Sequence, residues 1–229
     1  MAFTNNYSFG YFWRINNIKP GISSGTLYIH NILVTKILGI SAFYHDSDAA
    51  IIHDGKIIAA AQEERFSRKK HDSRYPYNAI NFVLNFANVN LSEVDNIVFF
   101  EKPFLKFERL LETYVAFAPR GFKSFSMSMP IWLREKLFQK KVLFNELKKH
   151  DKNFNDINKI NFSEHHFSHA ASAFYPSPFS DAVVLTLDGV GDWGTTTVGV
   201  GNGSNLEINK EIHFPHSIGL LYSAFTYYT

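Results

Sequence analysis

The sequence contains no cysteine and no long apolar run. Without cysteine the chain can form no disulfide, no thiolate nucleophile and no thiolate metal site, and we expect a cytoplasmic protein. No apolar run reaches the roughly 18 residues of a membrane span, so we expect no membrane partner. The N-terminus lacks the basic and apolar regions of a signal peptide. Any bound metal must therefore be held by histidine and carboxylate side chains.

The charges of the chain nearly balance. Lysine and arginine total 23 against 21 acidic residues, a net charge of +2, which is too small to indicate a nucleic-acid partner. Hydrophobic residues make up 45% of 229 residues, enough to bury the core of one or two domains. Composition thus predicts a globular protein without a nucleic-acid partner.

Two segments of the chain repeat one order of strands and turns. Residues 37–62 contain a buried strand, a polar turn at 45–48, a second strand, a tight Asp54-Gly55 turn and a third strand. Residues 182–214 repeat that order around glycine turns. Two such units facing each other would form a cleft in which both first turns can hold one phosphate-bearing ligand.

Other segments carry helical or charged patterns. Apolar spacing predicts helices over 77–87, 103–119 and 132–149, and the apolar C-terminal end is also predicted to be helical. We interpret the charged run 63–72 as a solvated connection.

A histidine-rich stretch gives the clearest site signal. His165 and His169 are four residues apart, so in a helix their imidazoles lie on one face and can bind the same cation. His166, between them, lies on another face and is interpreted as a packing residue. Because an isolated pair with this spacing also recurs by chance, a purely structural role remains an alternative.

A carboxylate follows the next apolar strand. Asp188 ends that strand at a glycine turn, where it can bind a metal while the backbone N–H groups of Gly189, Gly191 and Gly194 face a phosphate. Two imidazoles and one carboxylate suit iron(II), zinc or manganese better than calcium or magnesium, which prefer oxygen ligands.

Six segments carry a family resemblance: ILGISAFYHDSDAA, AAAQEERFSRKKHD, FFEKPFLKFERLLETYVAFAPRGF, EHHFSHAASAFYPSPF, LTLDGVGDWGTT and FPHSIGLLYSAFTYYT. In this order they resemble the amino-terminal part of the NodU/TobZ-type O-carbamoyltransferases, over about residues 36–229. The resemblance implies an α/β, actin-like ATPase fold (ASKHA, ribonuclease H-like) of the Kae1-like branch, present here only in part.

The resemblance also implies an activity in two steps. ATP, with magnesium, and carbamoyl phosphate form a carbamoyl-adenylate, and the Kae1-like site, which binds iron(II) or another divalent transition metal, transfers the carbamoyl group to a hydroxyl of a sugar or natural product. The family's metal ligands fall on His165, His169 and Asp188, and its early histidine falls on His45, implied to be catalytic. A turn histidine bonded to backbone is the alternative for His45.

The resemblance implies a domain layout as well. Residues 34–229 are expected to be the amino-terminal part of the Kae1-like domain, with a YrdC-like domain in the complete protein. Residues 1–33 lie upstream of the resemblance and are expected to be a non-native or disordered extension. We hypothesise that Val34 is the true initiator, encoded by GTG, which the intact mass of the native protein tests.

The sequence is also compatible with other functions. One is an enzyme like the tRNA threonylcarbamoyl transferases, and another is an inactive fragment that binds metal without turnover. A sugar kinase would need an acidic base and no paired histidines, and a zinc protease would need a glutamate directly after the first histidine of the pair. The sequence does not identify the acceptor substrate.

Overall fold

The computed structural model describes residues 35–131 and 138–229. They form eight strands: β1 (Lys36–Ser41), β2 (Asp48–His53), β3 (Lys56–Gln62), β4 (Asn96–Phe99), β5 (Ile160–Phe162), β6 (Asp181–Leu187), β7 (Gly194–Asn202) and β8 (Asn205–His213). The helices are α1 (Glu64–Ser67), α2 (Tyr77–Ala87), α3 (Pro103–Phe117), α4 (Phe122–Ile131), α5 (Gln139–Leu147), α6 (His165–Phe174) and α7 (Ile218–Tyr228). The predicted α/β class is confirmed. The predicted extension over residues 1–33 lies outside the described residues.

The first sheet is mixed. Its strand order is β3-β2-β1-β4-β5, with β1, β2 and β3 antiparallel and β4 and β5 parallel to β1. Helices α2 and α5 cover one face, where Ile80 and Val83 of α2 and Leu143 and Leu147 of α5 join the main core. Each of these four side chains is fully buried, so each contributes about 1.5–3 kcal/mol of burial free energy.

The second sheet is antiparallel, with the order β6-β7-β8. Helix α6 packs on one of its faces, where Phe167 and Phe174 contact Val184 and Leu206. Each sheet thus contains an antiparallel unit of three consecutive strands, which confirms the predicted repeat.

Helices depart from prediction in the middle of the chain. The structure adds α4, where the sequence carries serine, methionine and Pro130 and no clear apolar stripe. The predicted helix over 132–149 is observed in its second part, as α5, and its residues 132–137 lie outside the described part of the chain. Within the described ranges, every helix is too short or too polar to cross a lipid bilayer.

The charged run 63–72 is the solvated connection that its composition indicated over residues 64–71, which are exposed or half-buried, but not at its two ends. Glu63 is only 3% exposed, and its carboxylate accepts hydrogen bonds from the backbone N–H groups of Asn78 (3.3 Å) and Ala79 (2.8 Å) at the start of α2. Asp72 is fully buried and accepts from the Arg74 guanidinium at 2.6 Å. The prediction was wrong for these two residues because hydrogen bonds compensate the burial of their charges, from the distant start of α2 for Glu63 and from the nearby Arg74 for Asp72.

We predict that Glu63→Ala lowers the free energy of unfolding by about 1–3 kcal/mol, because it leaves donors at the start of α2 without an acceptor. Urea unfolding followed by circular dichroism measures the change. Glu112→Ala, at an exposed position of α3, is the matched control and should leave stability nearly unchanged. Equal stabilities of the two variants would contradict the capping role of Glu63.

Candidate metal centre

The carboxyl ends of three parallel strands meet at one edge of the first sheet. Tyr44 and His45 follow β1, Glu101 follows β4 and His165 follows β5. In open α/β sheets this edge is where ligands bind. Strand β6 of the second sheet brings Asp188 to the same place, since the Asp188 carboxylate contacts the His165 ring.

The three candidate ligands lie within contact distance of one another. His165 and His169 occupy successive turns of α6, and their Nε2 atoms are 3.0 Å apart. Asp188 Oδ2 lies 2.8 Å from His165 Nε2 and 3.8 Å from His169 Nε2. The structure therefore brings together all three residues that the sequence proposed as ligands.

The spacing of these atoms fits a single cation. Two ligands about 2.1 Å from a metal are about 3.0 Å apart at a right angle and about 3.4 Å apart at a tetrahedral angle. The observed separations of 2.8, 3.0 and 3.8 Å bracket these values. Two imidazoles and one carboxylate form the ligand set of non-haem iron(II) sites and of three-ligand catalytic zinc sites.

The electrostatics of the cluster match what a cation requires. Burial lowers the pKa of His169, outweighing the opposite effect of Asp188. For Asp188, burial raises the pKa, but hydrogen bonds from His165 and His169 outweigh it and hold the value well below the ordinary range. The site therefore offers a neutral His169 imidazole and a charged Asp188 carboxylate at neutral pH, the protonation states in which they bind metal.

His166 packs between α6 and the second sheet, as its place in the sequence indicated. Its Nδ1 lies 2.7 Å from Thr186 Oγ1, which in turn lies 2.7 Å from Thr197 Oγ1. Burial lowers the pKa of His166 to about 4, with the neighbouring histidines adding to the effect. The neutral His166 ring thus supports the ligand helix without joining the ligand cluster.

The glycines of the turn after β6 lie in two places. Gly189 lines the cavity beside the ligands, and its N–H donates to Asp188 Oδ1 at 2.6 Å. Gly191 instead packs on His166, where an added Cβ would lie 2.8 Å from His166 Cδ2 and from the Gly194 carbonyl oxygen. Gly194 also packs against the His166 ring. The phosphate-binding role of these glycines remains a prediction, and the geometry brings only Gly189 to the cavity.

The candidate ligands open onto a cavity of about 420 Å³ between the first turns of the two repeated units. His45 lines it from one side, and Glu101, Lys106 and Arg109 form a charged wall. The sequence reasoning passed over these last three residues. The sequence did carry a signal for them: Glu101 comes directly after a buried apolar run, and Lys106 and Arg109 follow it one helical turn apart.

His45 is held by a neighbouring carboxylate. Its Nδ1 lies 3.0 Å from Asp46 Oδ2, and the other oxygen of Asp46 lies 2.9 Å from His71 Nδ1. Because a carboxylate only accepts, these contacts place a proton on Nδ1 of both histidines. The end of the charged run 63–72 thus folds back onto the turn that carries His45.

Arg109 ties α3 to the turn after β6. Its guanidinium donates to the carbonyl oxygens of Gly191 and Asp192 and lies over the Phe214 ring, 5.6 Å from its centroid. Burial lowers the pKa of Arg109, which nevertheless stays charged at neutral pH. A fixed cation therefore holds the turn that follows Asp188.

We predict that the protein binds a single divalent transition metal and that His169→Ala and Asp188→Asn each weaken this binding by more than about 100-fold, because changes to outer-shell groups alone cost 10–100-fold. Competition of the tag-free protein with a chromophoric chelator for Zn²⁺ or Co²⁺ measures the affinity. His213→Ala, at an exposed histidine, is the control and should bind as the wild type does. Unchanged affinity in both ligand variants would refute the site.

Gly219, at the start of α7, lies directly on the backbone of Asp188, and an added Cβ would overlap the Asp188 carbonyl group. We predict that Gly219→Ala displaces Asp188 and weakens metal binding on the order of 10-fold, as changes in the support of a ligand do. The same chelator competition measures this effect. Ser223→Ala, exposed on the same helix, should leave the affinity unchanged.

Comparison with known proteins shows the family of the chain. The family model described as Carbamoyltransferase N-terminus matches residues 36–229. An uncharacterized protein of Synechocystis sp. is 59% identical over 197 residues, covering 86% of this chain and 32% of the relative. The nodulation protein NolNO of Sinorhizobium fredii is 34% identical over 207 residues, covering 88% of this chain and 27% of the relative. The chain thus spans about a third of the length of these curated relatives. It belongs to the carbamoyltransferase N-terminus family.

Proposed function

We propose that this chain forms the metal-binding part of an O-carbamoyltransferase, which moves a carbamoyl group from carbamoyl phosphate, through carbamoyl-adenylate, to a hydroxyl of a sugar or natural product. One observation carries the proposal: in a member of this family, His165, His169 and Asp188 meet on the wall of one cavity. That cavity also contains His45 and two cationic side chains.

The topology supports an actin-like, Kae1-like fold. In the arrangement expected for such a fold, two related strand units face each other across a ligand cleft. Here the antiparallel units β1–β3 and β6–β8 place their first turns on the same cavity, at Tyr44 and His45 on one side and Gly189 and Val190 on the other.

The donor determines what the site must do. Carbamoyl-adenylate is a mixed anhydride and is already activated, so no covalent nucleophile is needed. The site has to polarise the carbonyl group, stabilise the departing phosphate and place the acceptor hydroxyl. An iron(II) or similar ion held by His165, His169 and Asp188 would supply Lewis-acid polarisation of the carbonyl oxygen.

The charged wall of the cavity suits an anionic donor. Lys106 and Arg109 are one turn apart on α3 and both line the cavity. Lys106 donates to Glu101, and Arg109 is anchored on the turn after β6, so both cations are fixed in place. Cations that are already positioned stabilise phosphate charge without reorganisation during the reaction. We assign the donor phosphate to this wall, beside the start of the turn that follows Asp188.

His45 is placed to handle the proton of the acceptor. With Nδ1–H bonded to Asp46, the lone pair is on Nε2, as a general base requires. The acceptor oxygen bonds to the carbamoyl carbon as its proton passes to His45 Nε2. The bond from that carbon to the phosphate oxygen then breaks, and AMP leaves with the electron pair.

The ATP-dependent step would take place in another domain of the complete protein. Because the chain spans about a third of its curated relatives, we assign the formation of carbamoyl-adenylate from ATP, magnesium and carbamoyl phosphate to a YrdC-like domain of the complete protein. The described residues would then contribute to the transfer step and not to the formation of the adenylate.

We predict that His45→Gln in the full-length protein lowers the rate of carbamoyl transfer by about 10²–10⁴-fold, the usual contribution of a general base. Transfer of label from [¹⁴C]carbamoyl phosphate, with ATP, magnesium and iron(II), to a panel of aminoglycosides and oligosaccharides measures the rate. His53→Gln, at a partly exposed histidine at the end of β2, is the control. A metal-loaded wild-type protein that consumes no carbamoyl phosphate in any of these mixtures would contradict the proposed function.

A further inference from the structure

The two ring nitrogens of His165 have different surroundings. Its Nε2 faces Asp188 and His169. Its Nδ1 is buried and makes no hydrogen bond within the described part of the chain. A histidine that offers the Nε2 lone pair to a cation must carry its proton on Nδ1, and a buried N–H needs an acceptor.

Glu101 is the carboxylate that faces this nitrogen. Its side chain is only 2% exposed, and Oε2 lies 3.9 Å from His165 Nδ1. Histidines that bind metals commonly donate their second N–H to a carboxylate, which fixes the tautomer and the orientation of the ring. We propose that Glu101 is a positioning residue: a small side-chain shift from the observed 3.9 Å lets Oε2 accept a hydrogen bond from Nδ1–H of His165, which leaves the Nε2 lone pair for the metal. This inference rests on the metal centre of the proposed function.

The protein holds Glu101 and His165 side by side through contacts that flank both residues. Before Glu101, the carbonyl oxygens of Phe99 and Phe100 accept from Ser163 N (2.9 Å) and Ser168 Oγ (3.0 Å). After it, Lys102 Nζ donates to Glu164 Oε1 at 2.7 Å. The end of β4 is therefore joined to the start of α6 on both sides of the pair, which keeps the backbones of the two residues next to each other while their side chains can still adjust.

The other charged groups around His165 make contacts that do not involve its Nδ1 atom. Asp192 Oδ2 accepts the backbone N–H of His165 at 3.1 Å, so this carboxylate serves the start of the helix rather than the ring. Lys106 Nζ donates to the same oxygen of Glu101 that faces His165 and offsets its buried charge. Any test of Glu101 must therefore separate the loss of an acceptor from the loss of a charge.

Replacing both members of the Glu101–Lys106 ion pair separates these two effects. In Glu101→Met/Lys106→Met the acceptor is lost, the net charge of the cavity is unchanged, and two side chains of similar length fill the space. Apolar replacement of a whole buried ion pair is often neutral for stability, so we expect the variant to fold. Lys106→Met alone keeps the carboxylate but leaves it unpaired, so it is the matched control once urea unfolding has shown that it folds.

The measurement is Zn²⁺ and Co²⁺ affinity by chelator competition, in parallel with nitrogen-15 NMR of the His165 ring in the Zn²⁺-loaded protein. We expect the double variant to bind about 10–100-fold more weakly than the wild type and Lys106→Met to bind at least as tightly as the wild type. We also expect a slowly exchanging Nδ1–H in the wild type that the double variant lacks.

Two results would overturn the inference, and they are distinguishable. Equal affinities of the wild type and the double variant would show that Glu101 does not position His165, while leaving the metal centre intact. A wild-type protein that binds neither ion would remove the metal centre itself, and this inference with it.

Discussion

The site depends on the connection between the start of α6 and the turn after β6. Asp192 of that turn accepts the backbone N–H of His165, while Asp188, four residues earlier, contacts the His165 ring. One turn of the second sheet therefore fixes both where the ligand helix begins and how its first side chain is oriented. Arg109 of α3 donates to this turn, and Ser217, just before α7, donates to the Asp188 carbonyl oxygen at 3.0 Å, so the position of Asp188 follows from several independent contacts.

Burial of charge is the main cost of this arrangement, and the protein offsets it locally. Glu101 is paired with Lys106, Asp188 with two histidines, and Arg109 with backbone carbonyl oxygens. Removing one member of a buried pair leaves an uncompensated charge, which costs far more than the pair contributes. For this reason, a substitution of one charged residue around this cavity has to be compared with a variant in which both partners are replaced.

Much of the fold could be predicted from the sequence because it rests on local patterns. Alternating and apolar runs, with turns such as Asp54-Gly55, predicted the two antiparallel units. Helical spacing brought His165 and His169 onto one face, and the structure places both beside Asp188. By contrast, α4 has no strong apolar stripe, and the burial of Glu63 and Asp72 depends on partners that composition does not reveal.

The remaining site residues escaped prediction because their roles arise from tertiary contacts. In the sequence, Glu101 is a single charged residue that follows a strand, which is a common pattern. Only the parallel pairing of β4 with β5 places it beside His165. Gly191 and Gly194 pack against the His166 ring, which is a reason for glycine at both positions besides the phosphate contact that stays a prediction. Glycine content alone does not distinguish a turn that binds an anion from one that admits a neighbouring ring.

Anomalous diffraction at the metal absorption edge tests the central claim most directly. For crystals of the protein grown with iron(II) or cobalt(II), we expect a single strong anomalous peak about 2.0–2.2 Å from His165 Nε2, from His169 Nε2 and from an oxygen of Asp188. A peak bound elsewhere, or well-ordered crystals with no peak at these side chains, would contradict the account.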